Sequence, residues 1–150
     1  MEPAQASRPE WNEHTLVVRY GETDQMGVVY HANYLVYFEE GRTRLMDALG
    51  LPYAELERRG FGLVVRKANL RFRAPARYAE RLCVRTRIDR IGGASVSFEY
   101  GITRADDGLR LADGSTELAC IDLRSPTRPV CMLPDELRAL LTPPDGASRS

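Results

Sequence analysis

The sequence predicts an α+β fold in which a five-stranded antiparallel sheet packs against one long helix. Three observations support this prediction: apolar residues of helical period before residue 50, alternation of period 2 after residue 62, and two hairpin signals in the later part of the chain. The 150 residues, 43% of them apolar, suit a single domain with a buried core. We expect this domain at residues 11–141, with disordered tails at 1–10 and 142–150.

The long helix follows a first strand, which is predicted at His14–Tyr20. The helix begins at His31 or Asn33 and runs to about Leu49, with Gly50 as its C-terminal cap. Its core positions, taken from the helical spacing, are Tyr34, Leu35, Phe38, Leu45, Met46 and Leu49.

Gly41 lies in the middle of this helix, where glycine costs about 1 kcal/mol relative to alanine. Such a residue indicates close approach to the helix backbone by a strand, a second subunit or a ligand. Packing is the favoured explanation.

The remaining elements are a short helical turn, four strands and a terminal helix. Pro52 opens the helical turn and Gly60 closes it. The strands are predicted at 67–73, 81–89, 95–102 and 109–123, and the terminal helix at Pro134–Leu140. Gly92-Gly93 and Asp106-Asp107-Gly108 are the hairpin signals. Ala68, Leu70 and Phe72 form the apolar side of the first of these strands.

Composition and charge exclude several classes of function. Lys plus Arg equals Asp plus Glu at 21 each, so no global field favours nucleic acid or a membrane surface. No apolar run approaches the roughly 20 residues of a membrane span, and the N-terminus does not resemble a secretion signal. The three cysteines, Cys83, Cys120 and Cys131, lack metal-ligand spacing and indicate reduced thiols in a cytoplasmic protein, with Cys83 and Cys120 in or near the core.

The stretch ETDQMGVVYHANY places Asp24 and His31 seven residues apart, just where the long helix begins. A helix N-terminus carries unpaired N–H groups and a partial positive charge, which stabilise a developing oxyanion. An ionised carboxylate nearby can attack a carbonyl or orient water for attack. Together they would suffice to hydrolyse an activated acyl group such as a thioester.

Each residue of this stretch also has a purely structural interpretation. Asp24 can be a cap or turn residue, which is the commoner role for an Asp before a helix. Gly27 can simply turn the chain, and His31 can pack its ring against the sheet. Tyr30 and Tyr34 can be core or interface aromatics. Spacing alone does not choose between these roles.

Two motifs resemble a known family. The segment from Asp24 to Tyr34 with Phe38-Glu39 and Arg42, followed by NLRFRAPARY at 69–78, resembles the 4-hydroxybenzoyl-CoA thioesterase family of hotdog-fold proteins, especially its Tol-Pal-associated acyl-CoA thioesterase branch. The resemblance covers about residues 14–130. It implies a sheet wrapped around the long helix, in a homodimer with interfacial active sites that often pairs again into a tetramer.

The resemblance also implies roles for individual residues. Asp24 would be the catalytic nucleophile or general base, and the backbone N–H of His31 would bind the thioester oxygen. Gly27, Tyr30 and Asn33 would shape the substrate site within the same turn. No metal or bound cofactor is implied.

Residues 66–90 contain nine Lys or Arg against two acidic residues. A solvated sheet face is the ordinary explanation, but as a group these cations suit the phosphates of coenzyme A. The candidates for that contact are Lys67, Arg71, Arg73 and Arg90. Nucleic acid is not expected, because aromatic residues do not interleave with the charges.

Three functions therefore remain open. An acyl-CoA thioesterase leads, an acyl carrier protein thioesterase is the second, and a non-catalytic acyl-CoA-binding or interaction module is the third. The presence of Asp24 argues against the third. The acyl group itself is not identified, although Met26, Tyr30, Phe38 and Met46 are candidates to line its pocket.

Overall fold

The computed structural model describes residues 10–142. Of the predicted tails at 1–10 and 142–150, residues 1–9 and 143–150 lie outside the described residues. The elements in chain order are β1 (Asn12–Val17), a single 3-10 turn (Tyr20–Glu22), α1 (Asn33–Ala48), α2 (Tyr53–Arg58), β2 (Phe61–Phe72), β3 (Arg81–Ile91), β4 (Ser95–Arg104), β5 (Arg110–Asp122) and α3 (Asp135–Leu141).

The five strands form one antiparallel sheet in the order β1-β3-β4-β5-β2. Both predicted hairpins are confirmed, because β3 pairs with β4 and β4 pairs with β5. β2 does not pair with its successor but crosses to the far edge, where β5 is its only neighbour. The predicted α+β architecture is confirmed, and β1 and β2 are the two edge strands.

α1 packs across one face of this sheet. Phe38 is fully buried and its ring stacks on Tyr100 of β4, with centroids 4.2 Å apart and an interplanar angle of 6°. Tyr34, Leu45 and Met46 are buried as predicted.

The core assignment of Leu35 is wrong, since this side chain is 39% exposed. Leu35 lies at the border of the apolar stripe in the first helical turn. Tyr37, on the opposite border, is buried in its place.

The backbone of α1 approaches β3 closely at Gly41, as its position in mid-helix predicted. A Cβ atom on Gly41 would lie 2.4 Å from Thr86 Oγ1 and 2.8 Å from Val84 Cγ1. The helix ends as predicted, because Gly50 adopts φ of +85° and the N–H of Leu51 donates to the carbonyl of Met46 at 3.2 Å.

Two strand predictions need correction. β1 ends at Val17 rather than Tyr20, because Glu22 folds back onto the N–H of Arg19 at 2.8 Å and forms the 3-10 turn. β2 begins at Phe61, six residues before the predicted start. Its residues Ala68 and Phe72 are exposed despite their alternation, since nothing in the described chain covers this edge of the sheet.

All three cysteines are free thiols. Cys120 is buried as predicted, whereas Cys83 is only partly buried. No helix in the described part of the chain is long and apolar enough to cross a membrane.

Candidate active site

The loop that carries Asp24 is a miniature hairpin. Thr23 and Val29 form an antiparallel bridge at its base, and the N–H of Asp24 donates to the carbonyl of Val28 at 2.9 Å. Gly27 closes the turn with φ of +79°, and its N–H donates to the carbonyl of Asp24 at 2.9 Å. The seven-residue spacing of Asp24 and His31 therefore corresponds to a chain that turns back on itself before the helix begins.

Glu22 fixes this hairpin to the start of α1. Its carbonyl accepts hydrogen bonds from the N–H of Tyr30 at 2.9 Å and from Nδ2 of Asn33 at 2.8 Å. Its carboxylate Oε1 accepts the N–H of Arg19 at 2.8 Å and the hydroxyl of Tyr37 at 3.1 Å. One residue thus holds both ends of the loop and the first turn of the helix.

Tyr37 is a stable donor to Glu22. Burial, together with the nearby negative charge of Glu22, raises the pKa of Tyr37 above its ordinary value. The phenol consequently keeps its proton at physiological pH, and its hydrogen bond to the carboxylate persists.

One of the two carboxylate oxygens of Asp24 accepts a hydrogen bond within the loop. Oδ1 accepts the N–H of Met26 at 2.9 Å, which is the turn-stabilising contact of the structural interpretation. No donor in residues 10–142 hydrogen-bonds to Oδ2. The two roles are therefore compatible, since one oxygen orients the side chain while the other is available.

The start of α1 offers unpaired donors. The N–H of Asn33 is bonded to the carbonyl of Tyr30 at 2.9 Å and that of Tyr34 to His31 at 3.3 Å. By contrast, the N–H groups of His31 and Ala32 have no acceptor among the described residues. No side chain caps this end of the helix, so these two N–H groups are open to an external acceptor.

The two sequence motifs meet at this site. Val28 bridges Arg77, and the N–H of Val29 donates to the carbonyl of Ala76 at 2.8 Å. The hydroxyl of Tyr34 accepts the N–H of Ala76 at 3.4 Å. The second motif therefore packs against the strand that follows the Asp24 turn and holds the hairpin in place. The buried Tyr34 takes part in this packing through its bond to Ala76.

The other predicted substrate-binding residues of the loop have different environments. Tyr30 is exposed, and its ring packs on that of His31 with centroids 4.3 Å apart. The Nδ2 group of Asn33 donates a hydrogen bond to the carbonyl of Glu22. Gly27 has open space where a Cβ would stand, so its positive φ is the reason for glycine there.

The predicted basic residues lie away from this loop. Lys67 of β2 and Arg90 of β3 lie in the same row of cross-strand partners, with Glu117 and Ser97 between them. This row is on the face of the sheet opposite α1. Arg71 lines a cleft on that face together with three carboxylates, Asp89, Glu99 and Asp113.

Among residues 10–142, Arg73 is the one member of this predicted set for which an ion pair is found. Its Nε donates to Asp113 at 2.7 Å, and this guanidinium holds the pKa of Asp113 below its usual range. Within one subunit the structure therefore does not bring the cations together with Asp24.

The candidates for the acyl pocket separate into two groups. Phe38 and Met46 are fully buried between α1 and the sheet, so they form core and not an open pocket. Met26 and Tyr30 are exposed beside the helix start. A second cleft, between β1 and α1, is lined by residues such as His14, Val36 and Glu40 and contains neither Asp24 nor His31.

No cluster of three or more potential metal ligands occurs among residues 10–142. Glu22 and Tyr37 are the important residues that sequence reasoning missed. Their signal was weak, because Glu22 lies two residues before Asp24 and outside the family motif, and Tyr37 falls outside the expected apolar stripe.

Comparison with known proteins shows which family the chain resembles. The model of the thioesterase-like superfamily matches residues 18–141. The chain is 40% identical over 108 residues to the putative acyl-CoA thioesterase YneP of Bacillus subtilis, covering 72% of this chain and 78% of the relative. It is 33% identical over 123 residues to the acyl-CoA thioesterase YbgC of Haemophilus influenzae, covering 81% and 88%.

Solved structures give the same result. The crystal structure of Slr0204, a 1,4-dihydroxy-2-naphthoyl-CoA thioesterase from Synechocystis, superposes with a TM-score of 0.81 at 26% identity. The alignment covers 90% of this chain and 98% of that one.

Proposed function

The chain belongs to the thioesterase-like superfamily, and from this premise we propose that it hydrolyses acyl-CoA thioesters with Asp24 and the N–H of His31 at its active site. The thioesterase activity itself follows from family membership and from the acyl-CoA thioesterases that the chain resembles at 33% and 40% identity. The roles of the two residues are the proposal. The observation that carries them is the hairpin of Asp24, which Glu22 ties to a helix start with two unpaired N–H groups.

The reaction consumes one water and releases a carboxylic acid and coenzyme A. Asp24 acts through Oδ2, either by attacking the thioester carbon or by removing a proton from the attacking water. The carbonyl oxygen gains negative charge in the tetrahedral intermediate, and the N–H groups of His31 and Ala32 stabilise it. The C–S bond then breaks, and the thiol leaves without needing a strong general acid.

A second copy of the chain completes the site in this proposal. β2 is a 12-residue edge strand whose outer backbone edge has no partner in the described chain, and Val64, Val65 and Phe72 are exposed along it. The ring of Phe72 packs edge-on against Tyr34 of α1 at 5.2 Å, next to the helix start. Pairing through β2 would cover this apolar edge and bring the partner beside Asp24.

The activity is tested by thiol release over aliphatic, aromatic and hydroxylated acyl-CoAs, with acyl carrier protein thioesters as a separate arm. Asp24→Asn keeps an oxygen for the N–H of Met26, so the hairpin is preserved while the carboxylate is lost. We expect kcat to fall by about 100-fold or more. Asp107→Asn is the matched control, because Asp107 makes the same turn contact in the β4–β5 loop, where its Oδ1 accepts the N–H of Leu109 at 3.1 Å.

Equal background rates for wild type and Asp24→Asn on every substrate would refute the catalytic role. The oxyanion role is tested by His31→Ala and His31→Pro. The first removes only the ring and should cost less than about tenfold. The second removes the N–H and should cost about 100-fold or more in kcat, and equal losses for both variants would contradict the assignment.

We further propose that Lys67, Arg71 and Arg90 are the phosphate contacts, with Arg73 the weakest of the four candidates because Asp113 neutralises it. Substituting each by Gln should raise KM for acyl-CoA but not for an acyl N-acetylcysteamine thioester, which lacks the phosphates. Arg81→Gln is the control for a lost exposed arginine. Equal KM changes for both substrates would exclude a phosphate contact.

The assembly is tested by sedimentation velocity on Val65→Lys. Charge on the β2 edge should yield monomers of low activity, whereas Val17→Lys, on the other edge strand, should leave the wild-type assembly intact. A homodimer is the expected minimum and a dimer of dimers the expected full assembly. An active monomer would refute the shared site.

We place the enzyme in the cytoplasm within this proposal. Its three cysteines are all free thiols, which suits a reducing compartment.

A further inference from the structure

Two of the three cysteines stand next to each other near the end of β5. The Sγ atoms of Cys120 and Cys131 are 3.6 Å apart. The N–H of Cys131 donates to the carbonyl of Cys120 at 2.9 Å, and the N–H of Asp122 donates to Pro129 at 2.9 Å. The bridge between Ile121 and Val130 lies between these two bonds. The chain after β5 therefore folds back as a short antiparallel ladder that holds the two thiols opposite each other.

This arrangement is compatible with a disulfide bond. One of the two bonds of a hydrogen-bonded antiparallel pair joins these residues, because the N–H of Cys120 donates to the carbonyl of Ala94 at 2.8 Å. Opposed residues in such a position have Cα atoms about 5.5 Å apart, which lies within the usual range of about 4.4–6.8 Å for disulfides. The two sulfur atoms must approach by about 1.5 Å to reach the bond length of about 2.05 Å. Small rotations of both side chains are sufficient for this movement.

The two thiols differ in accessibility and acidity. Cys120 is fully buried, and burial with the neighbouring Cys131 raises the pKa of the Cys120 thiol to about 12. Cys131 is partly exposed. An oxidant from solution therefore meets Cys131 first, and Cys120 is held within reach to complete the reaction.

We propose that Cys120 and Cys131 form an oxidant-reactive dithiol site that accepts a hydroperoxide or a small disulfide such as oxidised glutathione. With hydrogen peroxide, the sulfur of Cys131 attacks one oxygen, the O–O bond breaks, and a sulfenic acid and one water form. The sulfur of Cys120 then attacks the sulfenic sulfur, the S–O bond breaks and a second water leaves. Two thiols are oxidised by two electrons to one disulfide, and the peroxide is reduced to two waters. With oxidised glutathione, the sulfur of Cys131 attacks one sulfur, the S–S bond breaks and one glutathione thiol leaves. The sulfur of Cys120 then attacks Cys131 in this mixed disulfide and releases the second glutathione thiol.

The disulfide would fix the C-terminal segment to the sheet. The chain from Cys131 leads into α3, whose Leu137 and Leu141 are fully buried. Arg138 of α3 donates to the carbonyls of Gly92 and Gly93 in the β3–β4 turn at 2.9 and 3.1 Å. A bond between Cys120 and Cys131 closes a short loop that must otherwise be ordered on folding, so we expect oxidation to raise Tm by about 5 °C or more.

The test uses the full chain, reduced and then exposed to hydrogen peroxide or oxidised glutathione. Trypsin cleaves after Arg110, Arg124 and Arg138, so the disulfide would join peptides 111–124 and 125–138 with the loss of two hydrogen atoms. We expect this linked pair in wild type and in Cys83→Ser, which is the matched control. Cys131→Ser should not form it, and Cys120→Ser should accumulate a sulfenic acid or glutathione adduct on Cys131.

Several outcomes would overturn the proposal. A disulfide through Cys83, or a disulfide between two chains, would each do so. The third such outcome is the absence of the linked peptides in Cys83→Ser when the same oxidant, under the same conditions, modifies Cys131 in Cys120→Ser. A wild-type Tm that is unchanged or lower after complete oxidation would refute the stabilising role. The activity of Cys131→Ser checks independently that this dithiol site is separate from the active site. Loss of the Cys131 thiol should leave the basal thioesterase rate unchanged.

Discussion

Substitution of Gly41 by alanine tests how closely α1 packs on the sheet. The new Cβ would lie 2.4 Å from Thr86 Oγ1 and 2.8 Å from Val84 Cγ1. Comfortable contacts between such atoms are about 3.5 Å or longer. The helix must therefore move away from β3 by about 1 Å, or the side chain of Thr86 must leave its position.

Two effects of opposite sign decide the change in the free energy of unfolding. Overpacking of this size costs about 1–3 kcal/mol, whereas alanine gains about 1 kcal/mol over glycine in a helix interior. Because the nearer contact is about 1 Å too short, the overpacking cost belongs in the upper part of that range, about 2–3 kcal/mol, and we expect a net loss of about 1–2 kcal/mol. For a domain of this size the loss corresponds to a Tm lower by about 3–6 °C.

Urea unfolding of wild type, Gly41→Ala, Thr86→Ala and the double variant measures the effect. Removing the Thr86 hydroxyl should recover part of the loss, with a coupling energy of about 1 kcal/mol. Thr43→Ala, on the same helix but away from β3, is the control. If Gly41→Ala were as stable as wild type or more so, helix propensity alone would govern this position and the close approach would be refuted.

Three further predictions concern the site and its support. Tyr37→Phe removes the hydroxyl that donates to Glu22; thiol release should fall several-fold while the far-UV circular dichroism is unchanged, and unchanged kcat would show that the hydrogen bond does not position the loop. Gly27→Ala forces a side chain into positive φ, which costs about 1–2 kcal/mol of the free energy of unfolding. We expect kcat to fall even under conditions where the variant is fully folded. A wild-type kcat would contradict the need for this turn. The ion pair of Asp113 and Arg73 should contribute up to about 1 kcal/mol to the free energy of unfolding at neutral pH. Since the pKa of Asp113 is lowered in the folded state, this contribution is present above the unfolded pKa and is lost as the pH falls through the folded one. Urea titrations of Asp113→Asn against wild type should therefore differ at pH 7. The difference in the free energy of unfolding should begin to shrink near the unfolded pKa of about 3.9 and should vanish only below the folded pKa, and a difference that persists there would refute the ion pair as its source.

The elements of the fold could be predicted because their signals are local. The period of apolar residues identified α1, and Gly50 marked its end. The doubled turn signals at Gly92-Gly93 and around Asp107 identified the two hairpins. These features depend on residues a few positions apart, so the sequence displays them directly.

The edge position of β2 could not be predicted in the same way. Its pairing with β5 joins residues about 40 to 60 positions apart, such as Phe72 with Ala112 and Phe61 with Asp122. Alternation of Ala68 and Phe72 indicates a strand with an apolar side but not which element covers that side. The exposure of Phe72 is therefore a consequence of topology that only the assembled sheet reveals.

The candidate site was predicted in part. Asp24, Gly27 and His31 were identified from their positions before a helix and from the family resemblance, and the structure places them in one hairpin and helix start. Glu22 was missed, because its importance arises from bonds to Tyr37 and to residues beyond the turn. The basic residues were grouped by sequence proximity, but the strands carry them to the face of the sheet opposite α1.

The most direct test of the proposed active site is a crystal structure with a non-hydrolysable thioester analogue. We predict that the carbonyl oxygen of the analogue lies within about 3 Å of the backbone nitrogen of His31, with the carboxylate of Asp24 facing the carbonyl carbon. A carbonyl oxygen bound elsewhere, or a carbonyl carbon out of reach of Asp24, would contradict it.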